Sequence, residues 1–240
     1  MKKYRRITSA VTNIIIIVML ISLTVVSFSG QYSSFVSLNA NDRPYYKGNP
    51  TRGEVALMIN VYWGTEYLDD MLQVLDNHNA KCTFFVGGSW ASKNSEYLEK
   101  MIEKGHEIGN HGYFHKDHAK LNYAQNESEI KSNNVLVNGL TGYKMTLFAP
   151  PSGSFNDITL KVAADLGMQT IMWSRDTIDW RDKDSSLVFS RATNKVTAGD
   201  MILMHPTAHT LAALGEILSF YEENNLTPVT VSQIIKQEII

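Results

Sequence analysis

One cysteine, Cys82, is all the thiol chemistry in the 240-residue chain, so no internal disulfide framework can brace it. It sits in the apolar run from Lys81 to Val86 and reads as a small buried hydrophobe. A surplus of one charge is lacking as well. The 22 Lys and Arg nearly balance 24 Asp and Glu, and a net charge of -2 carries no nucleic-acid signature. Collagen-like or disordered bias is absent, and no repeat is visible. What remains, 44% hydrophobic and 19% charged residues, can build a sizeable core. One domain is expected, and a monomer.

The first thirty residues form a separate register. Lys2, Lys3, Arg5 and Arg6 lead into an uncharged stretch from Ile7 to Gly30 with four consecutive isoleucines, Ile14 to Ile17. This is a targeting segment long enough to span a bilayer, with its basic flank left in the cytoplasm. The small-x-small triplet Ser27-Phe28-Ser29 leaves a cleaved signal and a retained membrane anchor both open. Either way, the body is expected outside the cytoplasm. Residues 31–53, carrying Asn39, Asn41, Pro44, Gly48 and Pro50, read as a polar linker.

From Glu54 onward short apolar runs alternate with amphipathic segments, the pattern of βα units and a parallel sheet. Strands are expected at Val55–Ile59, Cys82–Val86, Leu147–Phe148, Gln169–Trp173 and Met201–Met204. Helices are expected over Tyr67–His78, Ser95–Lys104, Asn156–Leu166 and Thr210–Asn224, with Gly105 and Gly167 as stops. The segment from Pro228 to Ile240 closes the domain.

Polar chemistry is densest in Gly105-His-Glu-Ile-Gly-Asn-His111-Gly-Tyr-Phe-His115-Lys-Asp-His118. Two histidines four apart converge on one metal ion if the segment makes a helical turn, because that spacing places them on one face. His118 and His209 read as solvated. Asp69 and Asp70 belong to the exposed face of the helix after the first strand, and Glu66, in the loop before it, is the nearest spare acid.

These segments, in order, resemble the polysaccharide deacetylases of the NodB-homology type. The resemblance runs through Val55-Ala-Leu-Met-Ile-Asn60, Lys81-Cys-Thr-Phe-Phe-Val-Gly87, the histidine motif, Phe148-Ala-Pro-Pro-Ser-Gly153, Trp173-Ser-Arg-Asp-Thr-Ile-Asp-Trp180 and Gly199-Asp-Met-Ile-Leu203-Met-His205-Pro206. It covers about Glu54 to Ile235. Trp63-Gly64, the segment from Ala149 to Phe155 and Asp176-Thr-Ile-Asp-Trp are most similar to the sporulation-associated branch in Gram-positive bacteria. The resemblance implies an α/β fold, a distorted (β/α) barrel with its site at the carboxyl ends of the strands. It also implies a divalent metal, zinc foremost, and hydrolysis of N-acetyl groups on a cell-wall polysaccharide. On the same footing, His111 and His115 are the metal ligands and His205 the general acid, tuned by Asp179. Trp173, Asp176, Trp180, Leu203 and Pro151 line the substrate groove.

The resemblance also has gaps. An ungapped count places the family's two motif aspartates, general base and metal ligand, on Asn60 and Val61. Asparagine cannot take the proton, and valine has no ligand atom. The arginine that orients the base falls on Ala149. Two functions are therefore expected as alternatives: a deacetylase with reduced or altered activity, or a silent wall-glycan-binding protein.

Overall fold

A computed structural model describes residues 13–22 and 42–236 of the chain. The chain divides into two compact units, Met1–Ser37 and Leu38–Ile240. In the first, residues 13–22 are helical and exposed. Among the described residues no helix is long and apolar enough to cross a membrane. Most of the expected targeting stretch, including Ser27-Phe28-Ser29, lies outside the described residues.

The second unit is built on eight parallel strands. They are β1 (Glu54–Val61), β2 (Thr83–Val86), β3 (Glu107–Asn110), β4 (Leu147–Phe148), β5 (Gln169–Thr170), β6 (Arg175–Asp176), β7 (Met201–Met204) and β8 (Thr227–Val229). Their order is β5-β4-β3-β2-β1-β7-β6, with β8 also pairing β1. The edge strands β5 and β6 are neighbours in sequence, so the chain itself bridges the one open seam of a curled half-barrel. Parallel pairing requires crossovers, and helices supply them. The longer ones are α1 (Leu68–Asn77), α3 (Ser95–Glu103), α4 (Tyr123–Thr141), α5 (Asp157–Asp165), α6 (Ser185–Thr193) and α7 (Ala208–Glu223). Two short helices, α2 (Gly88–Ala91) and α8 (Val231–Ile235), complete the set.

Side-chain alternation along β1 divides the core into two layers. Val55, Leu57, Ile59 and Val61 join the larger cluster under the helices, beside Leu68, Met71 and Leu75 of α1. Ala56 and Met58 join the inner cluster with Phe85, Ile171 and Met201. Asn60 follows on that inner face, at the mouth of the half-barrel. Each fully buried aliphatic side chain contributes about 1.5–3 kcal/mol, which makes β1 the anchor of both layers.

Two readings shift. The stretch expected as linker docks onto the sheet from Tyr45 to Asn49: the Tyr45 amide donates to the Thr170 carbonyl at 2.9 Å, and Gly48 donates to the Gly199 carbonyl at 2.8 Å. The expected strand Gln169–Trp173 is shorter, since β5 ends at Thr170 and Ile171 bridges Tyr45 instead.

One crossover helix lacks an apolar signature. The buried residues of α4 are Asn126, Glu129, Ile130, Asn133 and Val137, a helical face that is largely polar. Its ends follow rule nonetheless. Asn122 and Gln125 form a reciprocal capping box, and Gly142 closes the helix at φ 72°. In α6, Asp184 caps the start through the amides of Ser186 and Leu187.

Candidate active site

The carboxyl ends of β1, β3, β6 and β7 open into one cleft of about 470 Å³, lined by Asn60, Tyr62, Trp63, His111, His115, Ser152, Trp173, Asp176, Trp180, Leu203 and His205. Parallel strands aligned in register deliver their loops to a common rim, which is why motifs far apart in sequence meet there.

One wall is the His205 side. Its ring follows β7 directly, and the Nδ1 nitrogen lies 2.7 Å from Asp179 Oδ1. The His205 amide donates to Asp179 Oδ2 at 2.6 Å, and the Thr210 hydroxyl donates to the same oxygen. Burial pushes the Asp179 carboxyl up, but the His205 ring and these other donors outweigh it and hold the group below its ordinary value. With Nδ1 committed to the carboxylate, the ring's remaining nitrogen, Nε2, is left to exchange a proton. Asp179 reaches this position through a turn. Asp176 Oδ1 accepts the Ile178 amide at 2.8 Å, the Thr177 hydroxyl donates to the Leu203 carbonyl at 2.8 Å, and Ile178 adopts φ 53°.

The opposite wall carries His111 and His115. Their segment is an irregular turn and not the helical turn that would set both rings on one face: Gly112 has φ 70° and His115 φ 55°. The two rings still approach to 5.0 Å between centroids. His111 Nδ1 sits 2.8 Å from the Ala149 carbonyl, so it carries the hydrogen and leaves the Nε2 lone pair free. Burial lowers the His111 ring to about 3. His115 is lowered too, again chiefly by burial.

The turn is held from beneath by the polar face of α4. Glu129 accepts the amides of Phe114 at 2.7 Å and Tyr113 at 3.1 Å, and Asn133 donates to the carbonyls of Val86 at 2.8 Å and Gly112 at 3.1 Å. Asn110 accepts the Gly112 amide at 2.7 Å. His118, expected to be solvated, is 0% exposed, with its Nδ1 2.6 Å from Asn126 Oδ1. The tight turn draws it down onto α4.

Between the two walls stands Asn60, 3% exposed, whose Oδ1 has no hydrogen-bond partner. Val61 points the other way, into the helix-side core. Ala149 is buried in the inner cluster. Trp173 partly packs on that cluster as well, and its ring passes so close to Gly153 that a Cβ there would lie 2.8 Å from Cη2. Trp180 stands 56% exposed at the rim. Pro151 is buried, and its neighbour Ser152 faces the cleft instead. Glu66 accepts the Thr65 amide, and Asp117 is taken up by Ser154 and Lys120; neither lines the cleft.

Residues to which the resemblance assigned no role complete the picture. Tyr62 lies flat on His115, with centroids 3.6 Å apart and planes at 19°, while Trp63 stacks on His205 at 5.5 Å. A pair of aromatics immediately after the first strand was the available signal. Thr210, Glu129 and Asn133 left no comparable trace.

For a divalent metal the donors are sufficient only for weak binding. Two imidazoles and the neutral Asn60 oxygen offer no anionic ligand. Among the described residues no group of three His, Cys, Asp or Glu is placed to hold an ion.

The arrangement of strands, cleft and histidines is that of a carbohydrate esterase fold. The family model described as polysaccharide deacetylase matches residues 47–171, and the chain belongs to that family. It is 40% identical over 194 residues to the Bacillus subtilis (strain 168) protein YlxY, covering 81% of this chain and 61% of that one. A peptidoglycan-N-acetylglucosamine deacetylase of Bacillus cereus is 31% identical over 162 residues, covering 68% and 59%. The chain thus spans about six-tenths of these two relatives. Among solved structures, BA3943 of Bacillus anthracis, a CE4 family pseudoenzyme, superposes with a TM-score of 0.79 at 35% identity, covering 81% of this chain and 69% of that one. A mutant of BA3943 with restored enzymatic activity gives a TM-score of 0.79 at 33% identity, covering 81% and 72%.

Proposed function

We propose that this chain binds a cell-wall glycan in its deacetylase-like cleft and hydrolyses N-acetyl groups slowly if at all. The observation that carries this reading is Asn60, a buried amide at the centre of the cleft where a general base would have to stand. An amide cannot accept the proton of an attacking water. General-base catalysis is worth about 10²–10⁴-fold, so its loss alone places turnover far below that of a complete site. Support comes from the retained binding surface: Trp173 and Trp180 present aromatic faces suited to sugar rings. The His205–Asp179 pair keeps the geometry of a general acid. The similarity to BA3943 favours the silent reading, and that to the Bacillus cereus deacetylase favours wall peptidoglycan as ligand.

The similarity to a peptidoglycan deacetylase favours an extracytoplasmic location, and on this reading the basic and apolar N-terminal segment directs export and either anchors the body or is removed. A divalent ion, zinc foremost because it suits imidazole, would be held loosely by His111 and His115.

The test is acetate release from N-acetylglucosamine oligomers and peptidoglycan, measured beside retention of the protein on the same glycans. Retention with acetate release at least about a hundredfold below that of a complete deacetylase is expected. Rapid release that His205→Ala abolishes would overturn the reading.

A further inference from the structure

The two imidazoles on the His111 wall are oriented by different means. The Ala149 carbonyl holds His111 through Nδ1 at 2.8 Å, the way a ligating histidine is ordinarily fixed. His115 has no such support: among the described residues no hydrogen bond to another residue fixes its ring, and its backbone stands at φ 55°, where few side chains are found. What lies on the ring is Tyr62, with centroids 3.6 Å apart and planes at 19°. Tyr62 is itself held. Trp63 stands edge-on to it at 4.3 Å, and Gly87 leaves it room, since a Cβ there would lie 3.0 Å from Tyr62 Cβ. The loop is then pinned at Gly64, whose carbonyl accepts the Trp90 indole N–H at 2.8 Å. The phenol is 36% exposed, so filling the core does not account for its place.

An imidazole donates to a metal through a lone pair in the plane of its ring, so a ring held by one face keeps its edge open. We propose that Tyr62 is a positioning residue for a weak divalent-metal site: its stack sets the edge of His115 toward His111, the rings being 5.0 Å apart with planes at 66°. Stacking does for His115 what the Ala149 carbonyl does for His111. This rests on the reading that the two histidines hold an ion loosely, and it names where the remaining affinity arises. Two neutral donors bind better when neither ring has to be ordered at the moment of binding. An aromatic stack is strong enough to change such an equilibrium by about two- to tenfold.

The experiment is calorimetric titration of zinc into the full chain, stripped with chelator and dialysed. Tyr62→Ala should weaken zinc by about fivefold, and Tyr62→Phe, which keeps the ring, should bring it back to within about twofold of the unaltered chain. Tyr46→Ala, which removes an exposed ring outside the cleft, should leave zinc unchanged. Proton NMR of the zinc-free chain gives a second readout. The ring current of Tyr62 should move the His115 ring protons upfield in the unaltered chain and in Tyr62→Phe, and the shift should vanish in Tyr62→Ala. Equal zinc affinity in Tyr62→Ala, a loss that Tyr62→Phe does not restore, or His115 protons that ignore the substitution would each overturn the inference and leave the loosely held ion standing. Zinc that binds His115→Gln as tightly as the unaltered chain sits elsewhere and removes both readings. So does an unaltered chain that takes up no zinc.

Discussion

The two walls of the cleft have kept different amounts of their equipment. Around His205 the ring's Nδ1, the backbone amide and Thr210 all converge on Asp179. Around His111 and His115 the rings are placed but the acids are absent, and Asn60 Oδ1 has no partner. A cleft can therefore keep its shape and its acid pair while lacking a base and an anionic ligand. Position in the fold and chemical competence are separate properties of the same loops.

The largest effect expected from breaking this contrast comes from Val61→Asp. The resemblance assigns a metal ligand to this position, yet the side chain is fully buried in the helix-side layer, facing away from Asn60. A carboxylate there should destabilise the fold by about 4 kcal/mol or more rather than create a ligand. Denaturant unfolding measures it. Wild-type stability with a gain of tight zinc binding would show that the end of β1 can turn inward.

Next in size is Asp179→Ala. Removing the carboxylate leaves three donors unpaired, and a loss of about 3 kcal/mol is expected by the same measurement. An unchanged midpoint would mean that the pair is not held as described.

The walls should also separate by pH. His111 is lowered from 6.5 to about 3, so the unfolded chain takes up a proton that the folded one refuses. Its contribution to stability falls as pH drops from about 6.5 toward 3, by at most about 1.4 kcal/mol per pH unit. Asp179 behaves differently. Its folded value is depressed, so its contribution is full above the ordinary carboxylate value and is lost only as pH falls through the folded one. In chelator, His111→Gln should make the stability curve shallower between pH 6.5 and 4.5, with His106, His115 and His118, also lowered by burial, keeping the rest of the slope. A curve of unchanged slope would show that His111 titrates freely.

The smallest effect concerns Asn60→Asp. It places an anion on the cleft face beside both imidazoles and should tighten zinc about tenfold, near 1.4 kcal/mol. Zinc that already survives a mild chelator in the unaltered protein would point to a ligand not recognised here.

Legibility followed the apolar runs. Met201–Met204 and Leu147–Phe148 were read to the residue, and β1 was read short by one residue at its start and two at its end, because continuous hydrophobic stretches in a parallel sheet announce themselves. The curled barrel and the shared mouth were implied by the resemblance to the polysaccharide deacetylases. By contrast, α4 was invisible because its buried face is built from Asn and Glu, and β3 was hidden inside a polar motif. Tyr62 escaped notice because no spacing rule predicts that a ring will lie on a histidine two strands further along the sequence. The burial of His118 depended on a tight turn that Gly112 permits, with its φ of 70°.

The polar face of α4 bears on how such a site can change over time. Glu129 and Asn133 grip the main chain of the histidine turn, so its conformation does not lean on an ion for support. Substitutions at the ligand positions then carry little penalty in foldedness, and the cleft becomes free to drift toward a different ligand while the scaffold stands. A turn braced from behind is one whose chemistry is negotiable.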